Sequence, residues 1–467
     1  MMKTSTFFLL LLLCCGLATP ATAQTFPVDT LVKTGPLTQR INLVFVPEGY
    51  QTAEMPLFIA RVHQTLNSLF TQSPFLEYQS YFNVFAIKVS STQSGSTHPR
   101  TTTECGVTPA FAATTYFNST FDYGSIHRLL VVQQTSAMGA VLAHNFPRYD
   151  QVFVLVNSTE YGGSGGQFAT ASANANATEI MVHEIGHSFA GLSDEYWAGP
   201  QYARESPNMT QTTNPTAVRW APWMGTSNVG IYPHINNPTW QKPHQNCKMQ
   251  VLGAPFCAVC KETIVERIHT LARPMQGYSP AALNINNPTQ DLPFALTLLP
   301  PSPNTLRVTW TLDGTIFARN HTSTTVPLAQ LPLGSHVVRA EVVDTTALTR
   351  STSHLTQHAY TVNWTISRKA TSVSMASATA QYNVETYPNP VGDVLNLNYV
   401  LPRAAPVALT VLDAAGRTVK TIRYPRQAAG RYEYQLEAAQ LGLRSAGTYT
   451  LIVNVDGVLM KRQLVRE

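Results

Sequence analysis

The 467-residue sequence predicts a multidomain chain, with an α/β region first and two all-β units after it. Three observations lead there. The length exceeds what one ordinary core accommodates. Up to about residue 275, β-branched apolar runs alternate with segments whose apolar residues recur at helical spacing. Beyond Arg273 only short alternating segments remain, separated by Pro, Gly and Asn-rich turns, and the small, polar stretch KATSVSMASATAQY divides them into two.

The expected boundaries are 1–23, 24–275, 276–368, a linker over 369–382, and 383–467. The chain opens MMKTSTFFLLLLLCCGLATPATAQ, in which Lys3, an apolar Phe7-to-Leu13 core and Ala21-Thr22-Ala23 have the order of a secretory signal peptide cut before Gln24. That core is too short to span a bilayer, and no later segment is apolar for long enough, so no transmembrane segment is expected. Hydrophobic content of 44% with 12% charged residues suits a folded protein. The net charge of +5 and the absence of Lys/Arg runs longer than two argue against a nucleic-acid partner.

Within 24–275, Ile41–Val46 is expected as a buried strand ending in the turn Pro47-Glu48-Gly49-Tyr50. Phe58–Phe70 is expected as a helix, and Tyr81–Val89, His127–Gln133 and Val152–Val156 as strands before the glycine-rich YGGSGGQFAT. Within 276–368, Leu306–Leu312, Ser335–Val343 and Tyr360–Ile366 alternate as the strands of a β-sandwich do, and Trp310 and Trp364 belong in its core. Once the signal is removed four cysteines remain: Cys105, Cys247, Cys257 and Cys260. An even number in an exported chain favours disulfides, with three pairings open. A structural zinc on Cys247, Cys257 and Cys260 lacks an assignable fourth ligand.

Residues 178–197 read TEIMVHEIGHSFAGLSDEYW. On a helix over 178–190, His183 and His187 share one face and can reach a single Zn2+, with Glu184 beside them as general base. Gly191 can take the positive φ that stops a helix and reverses the chain, swinging Asp194 back as an oxygen ligand. The plainer alternative is a core helix carrying two satisfied histidines. The order of export signal, helical frame, glycine and following acid favours the metal.

HEIGHSFAGLSDEYW resembles the signature of the IgA-peptidase-type secreted zinc metallopeptidases, a metzincin-like group. INLVFVPEGY, VFVLVNSTEYGGSGG and NCKMQVLGAPFCAVCKETI resemble further segments of that family, over about residues 35–270. The resemblance implies a metzincin-like α/β catalytic domain with one catalytic Zn2+ on His183, His187 and Asp194, Glu184 as base, and Met249 in an apolar turn beneath the ion. It implies hydrolysis of a protein or peptide substrate stretched along the Val152–Val156 strand, which is expected to be the sheet edge above the cleft. The spacing departs from the broader metzincin pattern: Gly191 and Asp194 each fall one residue late, which leaves Glu195 as a rival ligand. Val251 stands where many metzincins have tyrosine, so Tyr196, Tyr232 and His234 remain unranked as transition-state donors.

The middle unit resembles immunoglobulin-like or fibronectin type III-like modules. Tyr387-Pro388-Asn389-Pro390, Asp413-Ala414-Ala415-Gly416-Arg417 and Gly447-Thr448-Tyr449 resemble the C-terminal sorting domain of the type IX secretion pathway. That implies the type IX machinery as a partner, and a product that is secreted or held at the cell surface, expected as a monomer. A non-catalytic adhesin built on a peptidase-like domain is the alternative from another class, and an intact Glu184 speaks against it. Zinc-dependent deacylation of glycans would use the same metal set.

Overall fold

The computed structural model describes residues 24–105, 109–369 and 381–467. The expected signal peptide and most of the expected linker lie outside them. The chain divides into two compact units, one ending at Ser367 and the other beginning at Arg368.

The first unit is built on a six-stranded mixed sheet. Its early elements are β1 (Val28–Val32), β2 (Ile41–Glu48), α1 (Met55–Phe70) and β3 (Phe82–Ile87). Next come β4 (Ser119–Thr120), β5 (Val131–Val132), α2 (Thr135–Asn145), β6 (Gln151–Val156), β7 (Gly163–Gly165), β8 (Ala169–Ser172) and α3 (Ala177–Ala190). After β9 (Tyr232–His234) and β10 (Asn237–Lys242), α4 (Ala258–Leu271) closes this part. The sheet order is β1-β3-β2-β6-β8-β7. Its four central strands are parallel and the two outer ones antiparallel.

Both faces of the sheet are covered, which is why β2, β3 and β6 are buried along their whole length. Ile41, Leu43, Phe45, Phe153 and Leu155 point to one side and meet α1, α3 and α4. Val44, Val46, Val152, Val154 and Val156 point to the other and meet Met138, Val141 and Leu142 of α2. The expected strand over His127–Gln133 shrinks to the two residues of β5. Its first half is bent into a loop whose amides bond internally, Asp122 N donating to His127 O and Tyr123 N to Leu129 O.

The same unit continues into two sheets, of three strands and five strands, over 275–368, around Trp310, Trp364 and Phe294. The boundary expected near 275 therefore lies inside one compact unit. Asp344 of the sandwich is buried and accepts hydrogen bonds from Tyr78 Oη (2.6 Å) and Thr305 Oγ1 (2.5 Å), with His269 Nε2 of α4 at 3.0 Å. Close by, Glu266 of α4 bonds to His354 Nδ1 (2.6 Å) and His358 Nε2 (2.8 Å) through separate oxygens.

Burial opposes the charge on Glu266, but the two imidazoles outweigh it and hold the carboxyl at about 2. Burial likewise opposes charge on His354, and Glu266 overrides it, raising the pKa above 6.5. The Glu266 contribution is present above its unfolded pKa of 4.5 and fades as pH falls through about 2. The His354 contribution is full below 6.5 and fades as pH rises through the raised folded value. Glu266→Gln should therefore lower Tm most between these limits, near pH 5–6. Melting curves of both proteins from about pH 3 to 9 would test this, and a Tm difference that stays constant with pH would contradict it.

In the second unit, strands over 385–466 form a three-stranded and a four-stranded sheet around Leu397, Tyr399, Leu409, Val411, Leu451 and Val453. No helix among the described residues is long and apolar enough to cross a membrane.

Candidate active site

Helix α3 runs from Ala177 to Ala190 and ends on Gly191 at φ 66°, ψ 24°. Gly191 N donates to His187 O and Leu192 N to Gly186 O, a paired closure that satisfies the last carbonyls while the chain turns back. A side chain at that φ would be strained, which is why glycine stands there.

The reversal delivers Asp194. His183 Nε2 and His187 Nε2 lie 3.2 Å apart, and Asp194 Oδ1 is 3.1 and 3.2 Å from them. The opposite ring nitrogens are committed. His183 Nδ1 faces Lys248 O at 2.9 Å and His187 Nδ1 faces Leu192 O at 2.7 Å. A carbonyl oxygen only accepts, so each Nδ1 carries the proton, and in neutral imidazoles both Nε2 atoms present lone pairs. Asp194 Oδ1 is buried without a hydrogen-bond partner among the described residues. Three acceptors thus converge on one point with no donor among them, an arrangement that a cation satisfies. Two imidazoles and a carboxylate with an open side are a zinc donor set.

Without a cation the cluster must be charged by protons. Burial opposes a positive His187, but the Asp194 carboxylate prevails and lifts its pKa to about 9. His183 is raised by the same competition. Burial raises Asp194, and the two imidazoles pull it well below the usual carboxylate range. Burial dominates at Glu184 and raises its pKa, against the opposing pull of the two histidines.

All four side chains line a cleft of ≈ 930 Å³. Its rim explains Gly163 and Gly165 of YGGSGG. A Cβ on Gly165 of β7 would stand 2.5 Å from His187 Cβ and 2.6 Å from Glu184 Oε2, and one on Gly163 would stand 2.7 Å from Ile180 Cγ2. The strand can lie this close to α3 only because it has no side chains there. Beneath the helix, Met249 is buried and its Sδ lies 2.6 Å from where a Cβ on Gly186 would be. Met249 O accepts from Glu195 N at 2.7 Å, so the Met249 turn and the Asp194 segment hold each other.

Several expectations need correction. The Val152–Val156 strand is no sheet edge, because β6 pairs with β2 on one side and β8 on the other. The edge beside the histidines is β7. The rival ligand Glu195 points away from them, its Oε1 lying 3.4 Å from Cys260 Sγ. Of the three candidate donors only Tyr196 lines the cleft, under the Arg128 guanidinium. Tyr232 Oη donates to Asn228 O elsewhere, and His234 is buried outside the lining.

The disulfides are also absent: all four cysteines are free and buried. Cys105 belongs to a separate cluster with His98, Asp122 and His127. The other three gather around Glu195 with Sγ···Sγ separations of 3.6 and 3.7 Å. Sulfur atoms in a disulfide are about 2.05 Å apart.

Residues 30–236 match the family model described as IgA Peptidase M64. This M64 match spans under half of the chain and contains His183, Glu184, His187 and Asp194, but stops short of Met249 and the Cys247–Cys260 segment. It marks the N-terminal region as peptidase-like. Residues 391–457 match the FlgD Ig-like domain, in agreement with the all-β second unit. No curated protein matches the chain.

Among solved structures, dimeric latent PorU from Porphyromonas gingivalis is 13% identical with a TM-score of 0.16, covering 41% of this chain and 20% of PorU. The protein SGBP-B of a Bacteroides ovatus mixed-linkage glucan utilization locus is 14% identical with a TM-score of 0.15, covering 40% of this chain and 43% of SGBP-B. The fibronectin(III)-like modules of Clostridium thermocellum CbhA are 13% identical with a TM-score of 0.14, covering 40% of this chain and 90% of the modules. The chain thus spans less than half of the first two.

Proposed function

We propose that the chain is a secreted zinc-dependent endopeptidase that hydrolyses peptide bonds of extracellular proteins, with Glu184 as general base. The observation that carries this reading is the convergence of two committed imidazoles and a partnerless carboxylate oxygen in the cleft that also holds a buried glutamate. His183, His187 and Asp194 would hold the ion. Zinc in such a site supplies Lewis acidity, making water nucleophilic near neutral pH and polarising a substrate carbonyl.

The chain's own residues do the rest. Glu184 takes the proton from the attacking water and returns it to the departing amine, from its place in the cleft beside His183 and His187. Tyr196, on the cleft wall, is the donor placed to meet negative charge developing on the carbonyl oxygen. Substrate lies extended against β7 near Gly165 and Gly166, where an added strand meets no side chain from the rim.

The region before Gln24 serves as an export signal, and the second unit as a type IX sorting domain. Support for that route is the order of the three C-terminal motifs.

Digestion of an unfolded protein such as casein tests the reading. Activity should vanish on treatment with a strong chelator and return when zinc is restored. Undiminished digestion by zinc-free protein would refute the metal dependence.

A further inference from the structure

Behind the candidate active site lies a second cluster. Cys260 Sγ is 3.7 Å from Cys247 Sγ, 3.6 Å from Cys257 Sγ and 3.4 Å from Glu195 Oε1, and Cys257 Sγ is 4.0 Å from that same oxygen. All four residues are buried, and Glu195 Oε2 has no hydrogen-bond partner among the described residues. A zinc ion with Zn–S near 2.3 Å and Zn–O near 2.0–2.2 Å sets tetrahedral edges of about 3.8 Å between sulfurs and about 3.5 Å between sulfur and oxygen. Four of the six separations are 3.4–4.0 Å, and all six lie within 4.8 Å. Two sulfurs come from a Cys-x-x-Cys turn at the start of α4, and a third from the segment before Met249. The surrounding groups fit a thiolate site: Cys257 N donates to Cys247 Sγ at 3.3 Å, and Asn208 Nδ2 donates to Glu195 Oε1 at 3.2 Å.

We propose that Glu195, Cys247, Cys257 and Cys260 hold a structural zinc ion distinct from the one assigned to His183, His187 and Asp194. Its ligands join three pieces of chain that shape the active site: the Asp194 segment, the Met249 turn and the start of α4. Asp194 and Glu195 then serve two ions on opposite sides of one stretch of backbone. The same turn presents Lys248 O to His183, so the ion braces a catalytic ligand indirectly.

A different cluster carries a second site independently. Asp122 Oδ1 is 3.2 Å from His98 Nε2, 3.1 Å from His127 Nδ1 and 3.5 Å from Cys105 Sγ, which is itself 3.1 Å from His127 Nδ1 and 3.5 Å from His98 Nε2. Asp122 is left-handed at φ 56°, a conformation disfavoured for a residue with a side chain. We infer that His98, Cys105, Asp122 and His127 hold a zinc ion between two imidazoles, a thiolate and a carboxylate, fastening the segment around His98 to the Asp122–His127 loop beside the cleft.

Zinc counted by mass spectrometry in the purified full-length chain tests both. In a His183→Ala/His187→Ala background, where the catalytic ion is gone, Cys257→Ser/Cys260→Ser should lose one further zinc per chain. Cys105→Ser/His127→Ala should independently lose one. Zinc-edge absorption of the His183→Ala/His187→Ala/Cys105→Ser/His127→Ala protein should show about three sulfurs near 2.3 Å. If the cysteine variants fail to fold, titration of the parent protein with a thiol-specific mercurial should release two zinc ions, one as Cys247, Cys257 and Cys260 react and one as Cys105 reacts. An unchanged zinc count, or a disulfide joining two of Cys247, Cys257 and Cys260 in the intact parent protein, would overturn the first site. Unchanged zinc in the Cys105→Ser/His127→Ala variant would overturn the second.

Discussion

Glu184→Gln is expected to lower the rate of peptide-bond hydrolysis by about 10²–10⁴-fold, the contribution usual for a positioned general acid–base group. The amide keeps the volume of the side chain and cannot accept the proton. Glu184 lies in the cleft beside His183 and His187, and burial holds its pKa above that of an exposed carboxyl. Zinc content should stay at the parent level, because the three converging atoms belong to His183, His187 and Asp194. Rates on a fluorogenic peptide, with zinc counted in the same preparations, would check this. Parent-like activity in Glu184→Gln would remove the residue from the mechanism.

The second large effect is expected from a single methyl group on the rim. Gly165→Ala places a carbon 2.5 Å from His187 Cβ and 2.6 Å from Glu184 Oε2. Since His187 Cβ is tied directly to the helix backbone, β7 or α3 must move by about 1 Å, and a displacement of that size can cost on the order of 10²-fold in rate. Gly139→Ala in α2 is the control, since its added carbon meets nothing within 4 Å and α2 does not line the cleft. Comparison of kcat/KM for the two variants decides the matter. Equal loss in both, or none in Gly165→Ala, would show that the close approach of strand and helix does not matter for catalysis.

Much of this site is legible in the sequence because its parts are local. The spacing of His183 and His187 needs only a helix to put them on one face, and Gly191 announces where that helix stops and turns. The strand runs INLVFV and VFVLV are equally plain, since burial on both faces leaves an uninterrupted apolar pattern. What the sequence does not disclose depends on partners far along the chain. The identity of the edge strand follows from the order β6-β8-β7, which no local pattern encodes. Gly163-Ser164-Gly165 carries no apolar alternation that would mark a strand, and its glycines answer to α3, which approaches too closely for side chains. The cysteines mislead for a chemical reason. Export favours disulfides, and the carboxylate that completes their cluster, Glu195, stands next to Asp194, where it reads as a rival for the catalytic ion.

Anomalous diffraction at the zinc absorption edge, from crystals of the full-length protein grown with zinc supplied, tests the central claim most directly. A peak is expected about 2.0–2.2 Å from His183 Nε2, His187 Nε2 and an Asp194 oxygen. No peak between those side chains would contradict the catalytic metal and the peptidase built on it.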